Sequence, residues 1–228
     1  MKNTVKKLSF KNMNKALLTG VLAIAAFLSV FAFSYSEKVS NEILAIGTTA
    51  PEQNVKMTDV SGEQVSLKSV AKEKGLLVIF SSNKCPFVIG NGTKSEGWDG
   101  RYPELHDLAT KSNIGMVLIN SNEASRDNGE SMADMKARYE KRGFKGYYAL
   151  DKNHVLADAF GALTTPHVFL FDENMKLIYR GAIDDSVDSS KEVKEAYLKN
   201  AIQAHLSGNT IEPNSTRQLG CSIKRMKA

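Results

Sequence analysis

Two continuous apolar runs, "GLLVIF" at residues 75–80 and "IGMVLIN" at residues 114–120, constrain the fold more than any other feature. Strands that are buried on both faces have this pattern, and they occur where helices cover both sides of a parallel sheet. Between the two runs, residues 102–112 carry Leu105 and Leu108 at helical spacing. The sequence therefore predicts a β–α–β unit at the centre of the domain.

The rest of the chain continues the alternation between strand and helix patterns. A Ser61–Gly62 pair separates two short alternating segments and predicts a β-hairpin over residues 55–67. Further segments follow in the order helix, strand, helix, hairpin, helix: residues 131–143, 146–151, 154–163, 167–181 and 189–208. This order predicts an α/β/α sandwich with a central mixed sheet and an N-terminal β-hairpin extension.

The first 36 residues have the composition of an export signal. Residues 1–15 are basic, residues 16–33 contain eighteen uncharged and mostly apolar positions, and small residues follow. The apolar run suits either a cleaved signal or an uncleaved membrane anchor. We therefore expect an exported protein, periplasmic or otherwise extracytoplasmic, with a domain over residues 37–208 and a tail over residues 209–228.

The positive charge of the chain belongs to this N-terminal segment. The formal net charge is +5, and residues 1–36 contain five lysines and no acidic residue. The exported part is therefore balanced in charge, and nothing in it predicts a nucleic-acid partner. Membrane contact is expected only through residues 16–33, if they are not removed.

Cys85 is one of only two cysteines, and it stands where the first apolar strand is expected to pass into a helix. Pro86 suits the first turn of a helix, because it lacks the N–H that would stay unpaired there. A helix start and the neighbouring Lys84 both favour the thiolate over the thiol. The alternative is a small buried cysteine with no chemical role.

Three segments in this order resemble the thioredoxin superfamily: "FSSNKCPF", then "TTPHVFLFD", then "LIYRGAIDD". The similarity is greater to its exported redoxin branch, which is grouped with alkyl hydroperoxide reductase and thiol-specific antioxidant proteins. The terminal "GCSIKR" resembles the end of one bacterial subgroup. The resemblance covers residues 45–225, and it implies a thioredoxin-like fold with thiol-based redox chemistry at Cys85.

One position departs from the family pattern. Where these proteins commonly carry the first cysteine of C-x-x-C, this chain has Ser82, so a disulfide within the motif is impossible. Peroxiredoxins have a hydroxyl residue at the same spacing, which hydrogen-bonds the reactive sulfur. The resemblance therefore implies that Ser82 assists Cys85, and it makes Arg180 the candidate for the thiolate-stabilising arginine.

The Thr165–Pro166 pair resembles the cis-proline loop of the superfamily, which lies against the reactive sulfur and docks an extended peptide. These two residues are therefore predicted to bind substrate, and His167, which follows them, could neighbour the sulfur. The alternative is an ordinary turn proline ahead of a strand. A histidine with no chemical role is the simpler interpretation of His167.

Cys221 in the tail has three open interpretations. It could resolve an oxidised Cys85 by forming a disulfide, it could form a permanent structural bridge with Cys85, or it could stay unpaired.

No cofactor is expected, because sulfur carries the electrons. No metal site is expected either, because the histidines lack ligand spacing. The adjacent Asp184 and Asp185 are predicted to lie in a solvated turn, and Trp98 in a loop near the site.

The predicted function is an exported thiol oxidoreductase of the redoxin type, with Cys85 as the reactive group. Its partners would be exported protein thiols or disulfides, or small hydroperoxides, together with a reducing thiol. A different class of function is also open. Because Ser82 replaces a cysteine, the domain could be a binding module that has lost turnover.

Overall fold

A seven-stranded mixed sheet forms the centre of residues 42–226, the part of the chain that the computed structural model describes. The strand order is β2-β1-β5-β4-β3-β7-β8, and a separate two-stranded sheet pairs β6 with β9. The bounds are β1 Met57–Asp59, β2 Gln64–Val65, β3 Leu76–Ser81, β4 Gly115–Asn120, β5 Tyr147–Leu150, β6 Thr164–Thr165, β7 His167–Phe171, β8 Leu177–Gly181 and β9 Cys221–Ser222.

The pairing confirms the predicted mixed sheet. Strand β4 runs parallel to both β3 and β5, whereas β7 is antiparallel to β3 and β8 is antiparallel to β7. The predicted N-terminal hairpin is formed by β1 and β2, and β1 joins the opposite edge of the sheet by pairing antiparallel with β5. Both strands predicted to be central, β3 and β4, are buried along their whole length.

Helices cover both faces of this sheet. Their bounds are α1 Leu67–Val70, α2 Pro86–Ile89, α3 Tyr102–Lys111, α4 Met132–Arg142, α5 Val155–Ala159 and α6 Tyr197–Leu206. Helix α4 begins and ends where its sequence predicts. The Ser131 hydroxyl accepts the Asp134 N–H at 3.2 Å, and Gly143 closes the helix in the left-handed conformation at a φ of 60°.

Alternate residues of β3 enter two separate hydrophobic cores. Leu77 and Ile79 pack on one face of the sheet, and Leu76, Val78 and Phe80 pack on the other. This alternation follows from the two-residue period of a strand. It explains why the sequence of β3 is continuously apolar, since neither face of the strand meets solvent.

The last helix is shorter than its sequence pattern predicts. The apolar stripe predicted a helix from residue 189, but regular α-helix begins at Tyr197, and Leu206 at its end is 44% exposed. Residues 193–196 pair with the chain after β8 instead. The Asp185 N–H donates to Glu195 O at 3.1 Å, and the Leu198 N–H donates to Ile183 O at 3.0 Å. These tertiary hydrogen bonds replace the first turns of the predicted helix.

The tail contains structure that the sequence analysis did not predict. Residues 221–222 form β9, and Cys221 pairs with Thr165 across the small sheet. The predicted export segment, residues 1–36, lies outside the described residues. Among residues 42–226, no helix combines the length and apolarity needed to cross a bilayer.

Phe160 provides a test of the core between the sheet and α5. Its ring packs edge-on against Phe80, Phe169 and Phe171, at centroid distances of 5.1–5.7 Å. Phe160→Ala should lower the free energy of unfolding by about 3–5 kcal/mol in a urea titration, because a large buried ring is lost. The exposed Leu206→Ala is the control and should change it by less than about 0.5 kcal/mol. Equal losses in the two variants would contradict this account of the core.

Candidate active site

Cys85 lies at the junction between β3 and α2, as its sequence position predicts. Strand β3 ends at Ser81, and Cys85 is the N-cap of α2 with extended φ and ψ of −68° and 120°. Its carbonyl accepts the N–H groups of Val88 and Ile89 at 2.8 and 2.9 Å, and Pro86 occupies the first helical position. The helix has a single turn, so its dipole is small and the side chains around the sulfur matter more.

The Cys85 sulfur is enclosed between two segments that are distant in sequence. Its Sγ lies 2.9 Å from the Thr165 carbonyl oxygen, to which the S–H donates. The Cys221 backbone N–H donates to the same sulfur at 3.3 Å. The Thr165–Pro166 bond is cis, as the resemblance implied. Cys85 is only 4% exposed, but its side chain forms part of the wall of an open pocket. The carbonyl suits the thiol form, and the Cys221 N–H suits a thiolate.

Cys221 is the natural chemical partner of this sulfur. Both cysteines are thiols in the structure. Burial, a hydrogen bond to Cys85 and the charge of Cys85 together raise the pKa of Cys221 to about 11. Near neutral pH Cys221 is therefore protonated, and it can donate its S–H towards Cys85.

Ser82 contacts the backbone of Cys85. Its hydroxyl oxygen accepts the N–H groups of Lys84 and Cys85, both at 3.0 Å, and its O–H donates to Glu130. The hydrogen bond to the sulfur that the resemblance implied is not among its contacts. Ser82 therefore holds the loop that carries Cys85, since it ties two backbone N–H groups to a buried carboxylate.

Glu130 is a site residue that the sequence analysis missed. This carboxylate is 2% exposed, and it accepts the Asn83 N–H at 2.9 Å and the Asn120 amide at 2.6 Å, in addition to Ser82. Asn120 ends β4, and Ser82 follows β3. The carboxyl ends of neighbouring parallel strands lie side by side, so these groups come together although they are far apart in sequence. No local motif marks Glu130.

Within residues 42–226, the hydrogen bonds of Lys84, expected as a neighbouring charge, and of Arg180, the candidate thiolate-stabilising arginine, go to groups other than the sulfur. Lys84 Nζ bonds Asn128 Oδ1 at 2.6 Å, and its aliphatic chain lies over Gly129. The Arg180 guanidinium donates to the carbonyls of Ile43 and Leu44, at 2.9 and 3.0 Å. Arg180 is thus occupied by these two carbonyls, and Lys84 acts on the site through its position at the pocket rather than through contact.

The pocket beside the two cysteines has a volume of about 220 Å³. Its wall includes polar side chains from three segments: Lys84, Asn122, Ser125, Asn128, Ser222 and Lys224. Among residues 42–226, neither of these two lysines forms an ion pair. The pocket is therefore polar, with unpaired positive charge near the sulfurs.

The acidic pair after β8 differs from its prediction. Asp184 is 6% exposed rather than solvated, because it accepts the Trp98 indole N–H at 2.7 Å and forms an ion pair with Arg101 at 2.7 Å. Asp185 is exposed, as predicted. Trp98 lies in the loop that follows α2, as predicted, and its side chain is buried in the core cluster that also contains Cys85.

His167 is buried and uncharged. Burial lowers its pKa to about 3, and its Nδ1 accepts the Leu163 N–H at 3.4 Å. It contributes no charge at neutral pH, which agrees with the interpretation that it has no chemical role. Within residues 42–226 no cluster of three or more His, Cys, Asp or Glu side chains is arranged to hold a metal ion.

A family model described as Redoxin matches residues 45–198 of the chain. The structure is also similar to an uncharacterised conserved protein from Geobacillus kaustophilus, with a TM-score of 0.73, 28% identity, and coverage of 82% of this chain and 95% of that one. A hypothetical protein from Sinorhizobium meliloti 1021 is similar to the same degree, with a TM-score of 0.72, 28% identity, and coverage of 82% and 98%.

A more distant structure supports the fold alone. A candidate protein disulfide isomerase from Bacteroides thetaiotaomicron matches with a TM-score of 0.50 and 16% identity, over 75% of this chain and 92% of that one. No curated protein matches the sequence. The predicted thioredoxin-like α/β/α fold with a mixed sheet is confirmed by these similarities and by the strand order.

The raised pKa of Cys221 predicts how its alkylation depends on pH. Iodoacetamide modifies only the thiolate, so in the reduced protein the modification of Cys221 should rise steeply only as pH approaches 11. In Cys85→Ser the profile should move to lower pH, because both contributions from Cys85 are removed. Peptide mass mapping measures each site. An unchanged profile in Cys85→Ser would show that burial alone controls Cys221.

Proposed function

Because the chain belongs to the Redoxin family, we propose that it is a thiol oxidoreductase in which Cys85 and Cys221 alternate between dithiol and disulfide. The family and the fold support a general oxidoreductase function of the thioredoxin type. The proposal adds the identity of the two sulfurs. It makes Cys221 of the C-terminal tail the partner that the S-x-x-C motif lacks.

The observation that carries this proposal is the 3.3 Å hydrogen bond from the Cys221 N–H to the Cys85 sulfur. The Cys221 thiol also lies within hydrogen-bonding reach of Cys85, since that contact contributes to its raised pKa. The pairing of β9 with β6 holds the backbone in this position. Of the three roles open to Cys221, a resolving thiol fits this arrangement best.

The two sulfurs have different roles in the proposed cycle. The raised pKa of Cys221 keeps it protonated at neutral pH. Cys85 is therefore assigned the attack, because its sulfur accepts the Cys221 backbone N–H and that contact favours the charged form of the sulfur when it reacts. Cys85 breaks the S–S bond of an oxidised substrate, releases one thiolate and keeps the other half as a mixed disulfide. Cys221 then loses its proton to solvent, attacks the Cys85 sulfur and releases the second thiolate. The substrate gains two electrons, and a reducing thiol partner returns the protein to the dithiol.

Disulfide exchange fits the site better than reduction of peroxides. In residues 42–226, the hydrogen bonds of Ser82 and Arg180 go to other groups, so neither side chain polarises a peroxide at the sulfur. The sulfur instead faces the carbonyl of Thr165 and the N–H of Cys221. This environment supports exchange between sulfurs, for which thiolate character and in-line access suffice.

We also infer that the chain acts outside the cytoplasm. The basic and apolar pattern of residues 1–36 supports export, by either a cleaved signal or an anchor. An oxidising compartment would suit a protein that takes part in disulfide exchange. Cell fractionation, with the N-terminus of the exported form read by mass spectrometry, would distinguish cleavage from anchoring. A full-length chain in the cytoplasm would refute export.

Oxidation with a small disulfide tests the proposed pair. The wild-type protein should lose the mass of two hydrogens and show a Cys85–Cys221 crosslink in non-reducing peptide maps. Cys221→Ser should stop at a mixed disulfide on Cys85, because no second thiol releases it. Cys85→Ser is the matched control and should form no crosslink.

Two outcomes would reject the proposal. If Cys221→Ser forms no mixed disulfide, Cys85 does not attack disulfides, and the binding module without turnover becomes the better explanation. If a sulfenic-acid reagent labels Cys85 after stoichiometric peroxide while small disulfides leave it unmodified, the protein is a peroxidase.

A further inference from the structure

The C-terminal strap, defined as residues 214–225, runs across the face of the domain that carries Cys85. Its first part follows β8. The Arg180 N–H donates to Asn214 O at 3.1 Å, and the Thr216 N–H donates to Arg180 O at 3.0 Å. The Thr216 hydroxyl accepts the Ala182 N–H at 2.9 Å. This end of the strap is therefore held by the edge strand of the main sheet.

The second part of the strap is held on the other side of the sulfur. Strand β9 pairs with β6, and the Ile223 N–H donates to Leu163 O at 3.0 Å. The Ile223 side chain is buried in one of the two cores. The Arg225 guanidinium bonds Asp158 Oδ1 and the Ala162 carbonyl, both at 2.6 Å. Because both ends are held, the strap is a fixed part of the site.

Gly220 shows how closely the strap approaches the cis-proline loop. A Cβ at this position would lie 2.2 Å from the Thr165 carbonyl oxygen, so only glycine fits. The strap thus covers the edge of β6 beside the sulfur. An extended peptide that binds by adding a strand to this edge would find it already paired. The surface on which the resemblance places a peptide substrate is occupied by the chain itself.

The opening that remains beside the sulfurs is small and positive. Its volume of about 220 Å³ lies below the roughly 300–1,000 Å³ of pockets for drug-sized ligands. Lys84 and Lys224 stand at it without ion-pair partners among residues 42–226. Glu130 is the one acidic side chain in the pocket wall, and its oxygens are bonded to Ser82, Asn83 and Asn120. A small anion would therefore meet two ammonium groups that have no carboxylate partner in the described part of the chain, Lys84 Nζ being bonded to the neutral amide of Asn128, in the pocket that Cys85 lines.

We propose that the substrate of the Cys85–Cys221 pair is a low-molecular-weight disulfide that carries carboxylates, and that the strap excludes extended polypeptides. The inference rests on the proposed function. Cys85 attacks one sulfur of the bound disulfide, and the first carboxylate-bearing thiol leaves. Cys221 displaces the second thiol, so that one S–S bond is exchanged for another. A dithiol reductant then returns the Cys85–Cys221 disulfide to the dithiol. The reductant itself is oxidised to a disulfide and supplies the two electrons that the substrate gained.

A series of small disulfides that differ in charge tests the pocket. The reduced full chain is mixed with dithiodipropionate, bis(hydroxyethyl) disulfide or cystamine, which carry negative, no and positive charge. Rates of Cys85–Cys221 formation are divided by the rates of free dithiothreitol with the same compounds, which corrects for intrinsic reactivity. The corrected rate should fall from the anion to the neutral compound to the cation.

Lysine variants assign that preference to the pocket. Lys84→Gln and Lys224→Gln should each reduce the preference for the anion over the cation about fivefold, as expected for one nearby charge in a solvated site. Lys68→Gln removes an equal charge from an exposed residue of α1 outside the pocket and should leave the preference unchanged. If Lys68→Gln has the same effect, the net charge of the protein controls the rate, and the pocket does not bind the anion.

The strap is tested with a disulfide placed in the middle of a short unstructured peptide. Wild type should react with this peptide more slowly than with dithiodipropionate, after the same correction. Gly220→Ala should displace the strap from Thr165, and the corrected rate with the peptide should then approach the rate with dithiodipropionate. Leu219→Ala, at an adjacent exposed position, should not. Circular dichroism of both variants checks that the domain stays folded.

The outcomes separate this inference from the proposed function. Absence of a Cys85–Cys221 crosslink with every disulfide would reject the proposed function and the inference together. A crosslink that forms at equal corrected rates with all three small disulfides would reject only the anionic substrate. A wild-type chain that reacts with the peptide as fast as with dithiodipropionate would show that the strap excludes nothing. The experiment with the lysine variants does not depend on Gly220→Ala, so it tests the anionic substrate even if Gly220→Ala fails to fold.

Discussion

The pairing of β3 between β4 and β7 is the constraint on which the whole site depends. Strand β3 is parallel to β4, so Ser82 and Asn120 emerge at the same edge of the sheet and meet at the Glu130 carboxylate. Its antiparallel pairing with β7 brings the loop before His167 to the same place, and with it the carbonyl of Thr165. Burial of β3 on both faces makes this register costly to change, because a slip would exchange side chains between two closely packed cores and disturb the packing of both.

The buried Glu130 carboxylate fixes the position of the Cys85 loop relative to the sheet, because it holds Ser82, which in turn binds the Cys85 N–H. A charge removed from water is tolerated when donors surround it, and here three groups supply hydrogen bonds. Through Ser82 the same network holds the N–H of Cys85. The hydroxyl that replaces a cysteine in the motif thus has a structural role. The second sulfur comes from the tail, which the small sheet of β6 and β9 places against Cys85.

One segment therefore completes the site and closes it. In the proposed cycle the strap provides the thiol that pairs with Cys85, and the same segment pairs with the edge of β6 on which an extended peptide is proposed to be excluded. These two effects are inseparable, because the backbone that carries Cys221 is the backbone that covers Thr165. A thioredoxin-like domain that resolves through its own tail gains a second sulfur and narrows the range of substrates that reach the first. Under the proposed substrate preference, Lys84 and Lys224 at the remaining opening then select small disulfides by charge.

Local pattern determined much of this protein. The apolar runs of β3 and β4, the capping residues of α4 and the strand–helix junction at Cys85 were all predictable, since each depends on neighbours in the chain. Tertiary structure alone decided the rest. Glu130, the burial of Asp184, the late start of α6 and the strap depend on hydrogen bonds between residues that lie ten or more positions apart. Such contacts have no sequence period, and a buried charge leaves no local signal of the donors that will surround it.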